Sequence, residues 1–374
     1  MPSSIGQTLR VTVFGQSHSP AIGCVVEGVP AGLALDMDAV RAFMARRAPG
    51  QGPWATARVE ADEPEVLGGL NPQGVTCGTP LAAVIRNTNV RSGDYANVRR
   101  VPRPGHADLT AWTKWGEAHD IAGGGHFSGR LTAPLCFAGA VCLQVLAERG
   151  VRVGAHLARV AGVDDEPLMT YDNSPEAAVH LAAQLDLLAD GRSFPALDED
   201  AGGRMREAIA EAARAGDSVG GVIECACMGL PAGIGSPMFD GLENSLARAL
   251  FGIPAVKGVE FGRGFGAADL LGSQNNDPYE VRDGACMPVT NNAGGCLGGI
   301  TTGAPVTFRM AVKPTPSIAQ EQRSVDLAIM EPATLAVRGR HDPCIAPRAV
   351  PVAEAVMAIC ALDAWLSWPG PVTL

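Results

Sequence analysis

The sequence is poor in lysine and in aromatic residues. Of its 29 basic residues only Lys114, Lys257 and Lys313 are lysines, and aromatic residues make up 5% of the 374-residue chain. The net charge is −10, which argues against binding to nucleic acid or to an anionic membrane, because both repel an acidic protein. The first 140 residues nevertheless carry 12 basic and 11 acidic side chains. We therefore expect an anionic ligand to bind in the N-terminal third.

Patterns typical of metal sites and disulfide frameworks are also missing. The ten cysteines include no C-x-x-C pair and the seven histidines no H-E-x-x-H, so we predict no metal site. Cys225 and Cys227 lie in an apolar run, where residues two apart on a strand share a face. This pattern favours buried, reduced thiols in a cytoplasmic protein.

No pattern for secretion or membrane insertion is visible. The opening MPSSIGQTLRVTVFG lacks the basic and then apolar arrangement of a signal peptide. The longest apolar run, APLCFAGAVCLQVL at 133–146, is too short to span a bilayer and predicts a buried helix. These features predict a cytoplasmic protein without a membrane partner.

Hydrophobic periodicity predicts alternating strands and helices. TLRVTVFG at 8–15 has the alternation of a strand. Helical spacing occurs at 36–48, where Asp36 or Asp38 could cap the helix, at 198–218 and at 348–366. Because no low-complexity linker interrupts the chain, we predict one α+β domain over residues 1–374.

One internal similarity stands out. VVEGVPAGL at 25–33 and ACMGLPAGI at 226–234 both place a Gly-x-Pro-Ala-Gly turn after an apolar strand. Two explanations fit this pattern: two related halves packed as one unit, with an internal two-fold repeat, or chance recurrence of a common turn.

Six polar stretches with glycine or proline neighbours could carry chemistry: FGQSHSPAIG, PRPGHAD, GGGHFSGRLT, NNAGGCLGG, KPTPSI and RGRHDPC. Glycine clusters let backbone N–H groups approach an anion, and the Pro104-Gly105 turn places His106 in a loop. Ser17 beside His18 suggests a hydrolase, but no G-x-S-x-G elbow is present and neighbouring residues of a strand point to opposite faces. The residues alone indicate an enzyme with an arginine-lined anion site, whose reaction stays unidentified.

The same stretches resemble the chorismate synthase family, in the family's order and over nearly the full length. GQSHS is similar to the family's G-E-S-H-G, and RPGHAD matches unchanged. The family's later signatures are resembled by the segment from GVIECACMGLPAGIG to AVKGVEFGRGF and by TNNAGGCLGGI, KPTPSI and GRHDPCIAPRAVPVAEA. The resemblance implies a β-α-β sandwich with helices layered between antiparallel sheets, and a homotetramer. It also implies the anti-1,4-elimination of phosphate from 5-enolpyruvylshikimate 3-phosphate, with reduced FMN as cofactor.

The resemblance implies a role for each matching residue. His18 is expected to protonate the departing phosphate, His106 to face the pyrimidine edge of the flavin, and Asp342 to take up the proton lost from the ring. The expected substrate-binding residues are Ser17, Arg47 and Arg130. The expected FMN-binding residues are Ser128, Gly298, Lys313, Pro314, Thr315, Pro316, Ser317 and Arg340.

Several positions depart from the family pattern, namely Gln16, Ser19, Pro53, His126, Phe127 and Pro316. Two hypotheses therefore remain: an active chorismate synthase, or a flavin- or anion-binding relative that has lost the elimination. The presence of His18, His106, Arg130 and Asp342 together favours the enzyme. No added reductase domain is visible, which favours an external flavin reductase over reduction of the flavin by NADPH on the protein itself.

Overall fold

The computed structural model describes residues 3–50, 52, 54, 62–88, 98–168, 171–190, 192–337 and 342–367. The helices are α1 (Met37–Arg47), α2 (Asp108–Trp115), α3 (Thr132–Ala147), α4 (Pro175–Ala189), α5 (Glu199–Arg214), α6 (Leu242–Leu250), α7 (Gly272–Asn275) and α8 (Ala346–Ser367). The strands are β1 (Ser4–Ile5), β2 (Arg10–Gly15), β3 (Ala21–Glu27), β4 (Pro64–Gly68), β5 (Leu81–Arg86), β6 (Arg152–Val160), β7 (Val163–Asp164), β8 (Gly221–Met228), β9 (Val256–Phe261), β10 (Tyr279–Arg282), β11 (Ala285–Pro288), β12 (Cys296–Leu297), β13 (Ile300–Thr301), β14 (Val306–Val312), β15 (Gln322–Asp326) and β16 (Glu331–Leu335).

Two five-stranded antiparallel sheets enclose a layer of helices. The first sheet has the order β1-β2-β3-β5-β4 and the second β7-β6-β8-β14-β9. Helix α3 packs on strands of the first sheet and α8 on strands of the second, while the two helices pack on each other. This arrangement confirms the predicted α+β class with helices between antiparallel sheets.

Small residues allow α3 and α8 to approach closely. A Cβ added at Gly139 of α3 would lie 2.2 Å from the Cβ of Ala355 in α8, so the two backbones meet where neither helix carries a large side chain. Most residues of both helices are apolar and buried, as expected for helices in a core. By length and composition the segments Gly129–Ala147 and Ala346–Ser367 could cross a membrane, but 78% of each apolar window is buried within the protein.

The two Gly-x-Pro-Ala-Gly turns have the same hydrogen bonds. The hydroxyl of Thr76 donates to the carbonyl of Pro30, and that of Thr301 donates to the carbonyl of Pro231, both at 2.7 Å. Each hydroxyl also accepts from the backbone N–H three residues after the proline, at 3.0 and 2.9 Å. Because each turn also follows the central strand of its sheet, β3 or β8, the geometry supports related halves rather than chance recurrence.

The cysteines are free thiols, and most of them are buried as predicted. Burial raises the pKa of Cys24 to about 12, so such thiols stay protonated. Cys77 and Cys286 are exposed, and for these two the prediction of burial is wrong. Within the described residues no group of three His, Cys, Asp or Glu side chains is arranged to hold a metal ion.

Candidate active site

A cavity of about 950 Å³ draws its walls from distant parts of the chain. The predicted site residues that line it are Ser17, Arg47, His106, Ser128, Arg130, Lys313, Thr315, Pro316, Ser317 and Asp342. Three predicted site residues are not among the lining residues, namely His18, Pro314 and Gly298. His18 and Pro314 are adjacent in sequence to lining residues, whereas Gly298 lies on an exposed turn between β12 and β13. Arg340, like Pro53 and Arg338, lies outside the described residues.

The C-terminal end of α1 delivers Arg47 to the cavity. Asp36 caps the helix by accepting from the N–H groups of Asp38 and Ala39, each at 2.9 Å, which selects Asp36 over Asp38 as the N-cap. Arg47 is buried, and its Nε donates to the hydroxyl of Thr132 at 3.1 Å. The guanidinium is therefore fixed by the protein before any ligand binds.

The short helical turn before α3 delivers Arg130. The hydroxyl of Ser128 accepts from the N–H of Arg130 at 3.3 Å and caps this turn. The Arg130 guanidinium donates from Nε to the Asn87 side chain at 3.0 Å and forms an ion pair with Asp62. Asp62 also pairs with Arg47. Burial would raise the pKa of Asp62, but Arg47 and Arg130 outweigh it and lower that pKa, so the carboxyl stays ionised.

His106 is held by a buried ion pair. The N–H of His106 donates to the carbonyl of Arg103 at 3.2 Å across the predicted Pro104-Gly105 turn. Nδ1 of His106 lies 2.6 Å from Asp108, which also accepts from Nε of Arg103 at 2.7 Å. Because an ionised carboxylate only accepts hydrogen bonds, Nδ1 carries a proton. Nε2 is left as the imidazole atom available to a ligand.

The glycine run 123–125 brings both predicted catalytic histidines together. A Cβ at Gly123 would lie 2.3 Å from the His18 ring, and one at Gly124 would lie 3.3 Å from Nε2 of His106. Gly123 has φ +61° and Gly124 φ +85°, a backbone region that favours glycine. These glycines therefore set the separation of the two imidazoles.

Ser17 and His18 do not point to opposite faces, contrary to the sequence expectation. Strand β2 ends at Gly15, so both residues belong to a turn, where the alternation of a strand no longer applies. Nδ1 of His18 lies 3.3 Å from the Ser17 hydroxyl. The turn is closed by Ser19, whose hydroxyl accepts from the N–H of Gln16 at 3.0 Å.

Asp342 faces the cavity beside an arginine that sequence reasoning did not single out. Arg348, in the first turn of α8, donates to Asp342 at 2.6 Å and to the backbone carbonyl of Arg47 at 3.0 Å. Burial and the charge of Arg47 lower the pKa of Arg348, while Asp342 raises it; burial is the largest of these effects. The signal for Arg348 was its place in the last matching motif.

Two of the three lysines in the chain line the cavity. Nζ of Lys313 donates to the carbonyl of Gly105, and burial together with the charge of Lys257 lowers the pKa of Lys313. Sequence reasoning noted the scarcity of lysine but assigned no role to Lys257, and scarcity was the signal that could have found it.

The lining is strongly cationic. Its basic side chains are Arg47, Arg103, Arg130, Arg248, Lys257, Lys313 and Arg348. Among the described lining residues Asp342 is the only carboxylate. A cavity of this size and charge fits a polyanionic small molecule.

The departures His126 and Phe127 have structural roles. Nδ1 of His126 donates to the carbonyl of Gly15 at 2.8 Å, and Nε2 accepts from the hydroxyl of Ser3 at 2.7 Å, which attaches the glycine loop to the first sheet. Phe127 packs near Trp115, with ring centroids 6.0 Å apart. Both residues also line the cavity.

Comparisons with known proteins agree on one family. The family model described as chorismate synthase matches residues 9–366. The chorismate synthase of Lancefieldella parvula is 48% identical over 99% of this chain and 98% of its own length, and that of Thermococcus kodakarensis is 43% identical over 98% and 99%. A solved structure described as a crystal structure of chorismate synthase superimposes with a TM-score of 0.72 at 27% identity, over 99% of this chain and 95% of the other.

Proposed function

The chain belongs to the chorismate synthase family of lyases, and from that premise we propose how its cavity works. The proposed reaction removes phosphate from 5-enolpyruvylshikimate 3-phosphate in an anti-1,4-elimination that yields chorismate and needs reduced FMN. The observation that carries the proposal is the convergence of seven cationic side chains and His106 on one cavity, with the His18 ring beside Gly123 of the cavity wall.

The described residues fit a flavin. The cavity volume of about 950 Å³ is at the upper end of the range for small-molecule sites, roughly 300–1,000 Å³. The buried hydroxyl of Thr315 faces no hydrogen-bond partner among the described residues, and a ligand polar atom would supply one. Lys313, Thr315, Ser317 and Ser128 would hold the cofactor, with Arg340 as a further predicted contact. When bound, reduced FMN supplies electron density that favours departure of the phosphate.

The arginines bind and orient the substrate. Two carboxylates and a phosphate give it a charge of about −3.5 to −4, and guanidinium groups bind such anions in bidentate fashion. Arg47, Arg130 and Arg348 all line the cavity. Arg47 and Arg130 share Asp62, while Arg348 pairs with Asp342 and donates to the carbonyl of Arg47. Ser17 is within hydrogen-bond distance of His18 and would add a neutral donor.

Protons are handled by three side chains. His18 would donate a proton to the departing phosphate, which is a better leaving group when a cationic donor faces it. Asp342 would accept the proton lost from the ring. Asp108 holds the proton of His106 on Nδ1, so that Nε2 can accept or donate at the cofactor edge.

We further propose a cytoplasmic homotetramer that receives reduced flavin from an external reductase, with NADPH as the ultimate reductant. Exposed apolar side chains such as Met238, Phe239 and Phe265, at 72%, 84% and 86% exposure, support assembly with other copies.

One assay tests the proposed reaction. The purified protein is mixed anaerobically with reduced FMN and 5-enolpyruvylshikimate 3-phosphate, while phosphate release and the absorbance of the new diene are followed. We expect both signals with reduced FMN and neither with oxidised FMN as the control. Absence of both signals with reduced FMN would favour the alternative, an anion- or flavin-binding relative without the elimination.

A further inference from the structure

Asp62 is a buried carboxylate behind the cavity wall that no sequence motif indicated. We propose that it is a positioning residue, which holds Arg47 and Arg130 at a fixed separation so that they bind two anionic groups of the substrate together. This inference rests on the proposed function of the cavity. Asp62 does not itself line the cavity, so it acts through the arginines.

The two oxygens of Asp62 serve different arginines. Oδ2 accepts from Nη1 of Arg47, and Oδ1 accepts from Nη1 of Arg130. Arg47 ends α1, whereas Arg130 precedes α3. One carboxylate therefore joins the ends of two helices that are separate in sequence and fixes the distance between two guanidinium groups.

The backbone at Asp62 is also specialised. Its φ is +50°, in the left-handed region where Asp and Asn are the best tolerated residues after glycine. Such conformations persist where the surroundings enforce them, often at functional sites. Asn could adopt the same backbone, but only Asp offers two anionic acceptors to two cations.

Charge balance gives the positioning its physical reason. Arg47 and Arg130 are each nearly buried, with side chains 3% and 5% exposed, and the guanidinium group keeps its proton in proteins. Without Asp62, two buried like charges would repel each other beside Arg348. With Asp62 they are held in place before the substrate arrives, so binding requires less ordering of the site.

Charge alone would also fit a second role for Asp62, namely a counter-ion that the substrate must displace. Removing a competitor would tighten binding of the substrate, whereas removing a positioning residue would weaken it. The burial of Asp62 behind both arginines favours positioning, because a substrate in the cavity cannot take its place.

The test compares Asp62→Asn with Glu354→Gln by calorimetric binding of 5-enolpyruvylshikimate 3-phosphate to the protein without flavin. Glu354 is also buried and accepts from Arg46, the neighbour of Arg47, at 2.7 Å, but neither residue lines the cavity. We expect about tenfold weaker binding for Asp62→Asn, since an unmatched buried charge is costly, and affinity within about twofold of wild type for Glu354→Gln.

Unchanged or tighter binding by folded Asp62→Asn would overturn the inference. If Asp62→Asn does not fold, Asp62→Gly, which suits the same backbone, takes its place with the same expected loss. The proposed function fails separately, if the wild type itself neither binds the substrate nor releases phosphate from it. A structural role alone would lower the melting temperature of both variants without separating their affinities.

Discussion

Two histidines of this chain lie beside aspartates at nearly equal distances, yet only one of them borders the cavity. Nδ1 of His106 is 2.6 Å from Asp108, and Nδ1 of His156 is 2.7 Å from Asp165. Nε2 of His156 is taken by Glu224 at 3.1 Å, and its side chain has no exposed surface. The environment of Nε2 therefore distinguishes the two histidines: His106 is available for chemistry, whereas His156 holds the core together.

The His156 cluster connects the second sheet to the segments that cross it. Glu224 on β8 also accepts from the N–H of Leu168 at 2.7 Å, and Asp165 accepts from the N–H of Leu197 at 2.7 Å. Burial would lower the pKa of His156, but Asp165 and Glu224 outweigh it and raise the pKa. The raised pKa and a carboxylate at each ring nitrogen favour the protonated imidazole, so we expect a cation held between two carboxylates that stabilises the fold.

The largest expected effect follows from removing that cation. His156→Ala leaves two buried carboxylates without their partner, and we expect the free energy of unfolding to fall by about 3 to 5 kcal/mol. Urea denaturation measures the loss, and His180→Ala, at an exposed histidine, serves as the control. Turnover of the folded variant at low temperature should match wild type; equal stability would show that the two histidine clusters do not differ as described.

The next effect is catalytic. His106→Ala is expected to slow turnover by at least tenfold. Loss of a general acid–base group typically costs roughly 10²–10⁴-fold, so tenfold is the minimum that we expect. Its melting temperature should stay much closer to wild type than that of His156→Ala, since His106 is partly exposed. Steady-state kinetics with saturating reduced FMN measure the change. An unchanged rate would remove His106 from the mechanism.

The smallest effect is a pH dependence. The pKa of His156 in the folded protein is raised above the usual 6.5. His156 therefore contributes its full stabilisation below about pH 6.5 and loses it as the pH rises through the folded-state pKa. The free energy of unfolding then falls by at most about 1.4 kcal/mol per pH unit. The stability difference between wild type and His156→Ala should therefore shrink in alkaline buffer. Urea denaturation between pH 6 and 9 checks this, and a constant difference would contradict a charged His156.

Much of the site could be predicted from sequence because its residues lie in local motifs. The Pro104-Gly105 turn, the glycine run and the Asp36 cap each carry a short-range signal, and the structure shows each in its predicted form. Asp62 carries no such signal, since a lone aspartate in a loop fits any turn. The placement of Ser17 and His18 was missed because the alternation of a strand was applied to them, although both the predicted strand and β2 end at Gly15.

The amino-acid sequence alone determined the family, the α+β class and the loops that hold polar side chains, because these depend on periodicity and on turn residues within a few positions of one another. Only the tertiary structure decided which charges meet. The contacts of Asp62 with Arg47 and Arg130, and of Arg348 with the backbone carbonyl of Arg47, result from packing α1, α3 and α8 into one layer. Long-range electrostatic pairing leaves no repeating pattern in a single sequence, so it becomes visible only once the chain is folded.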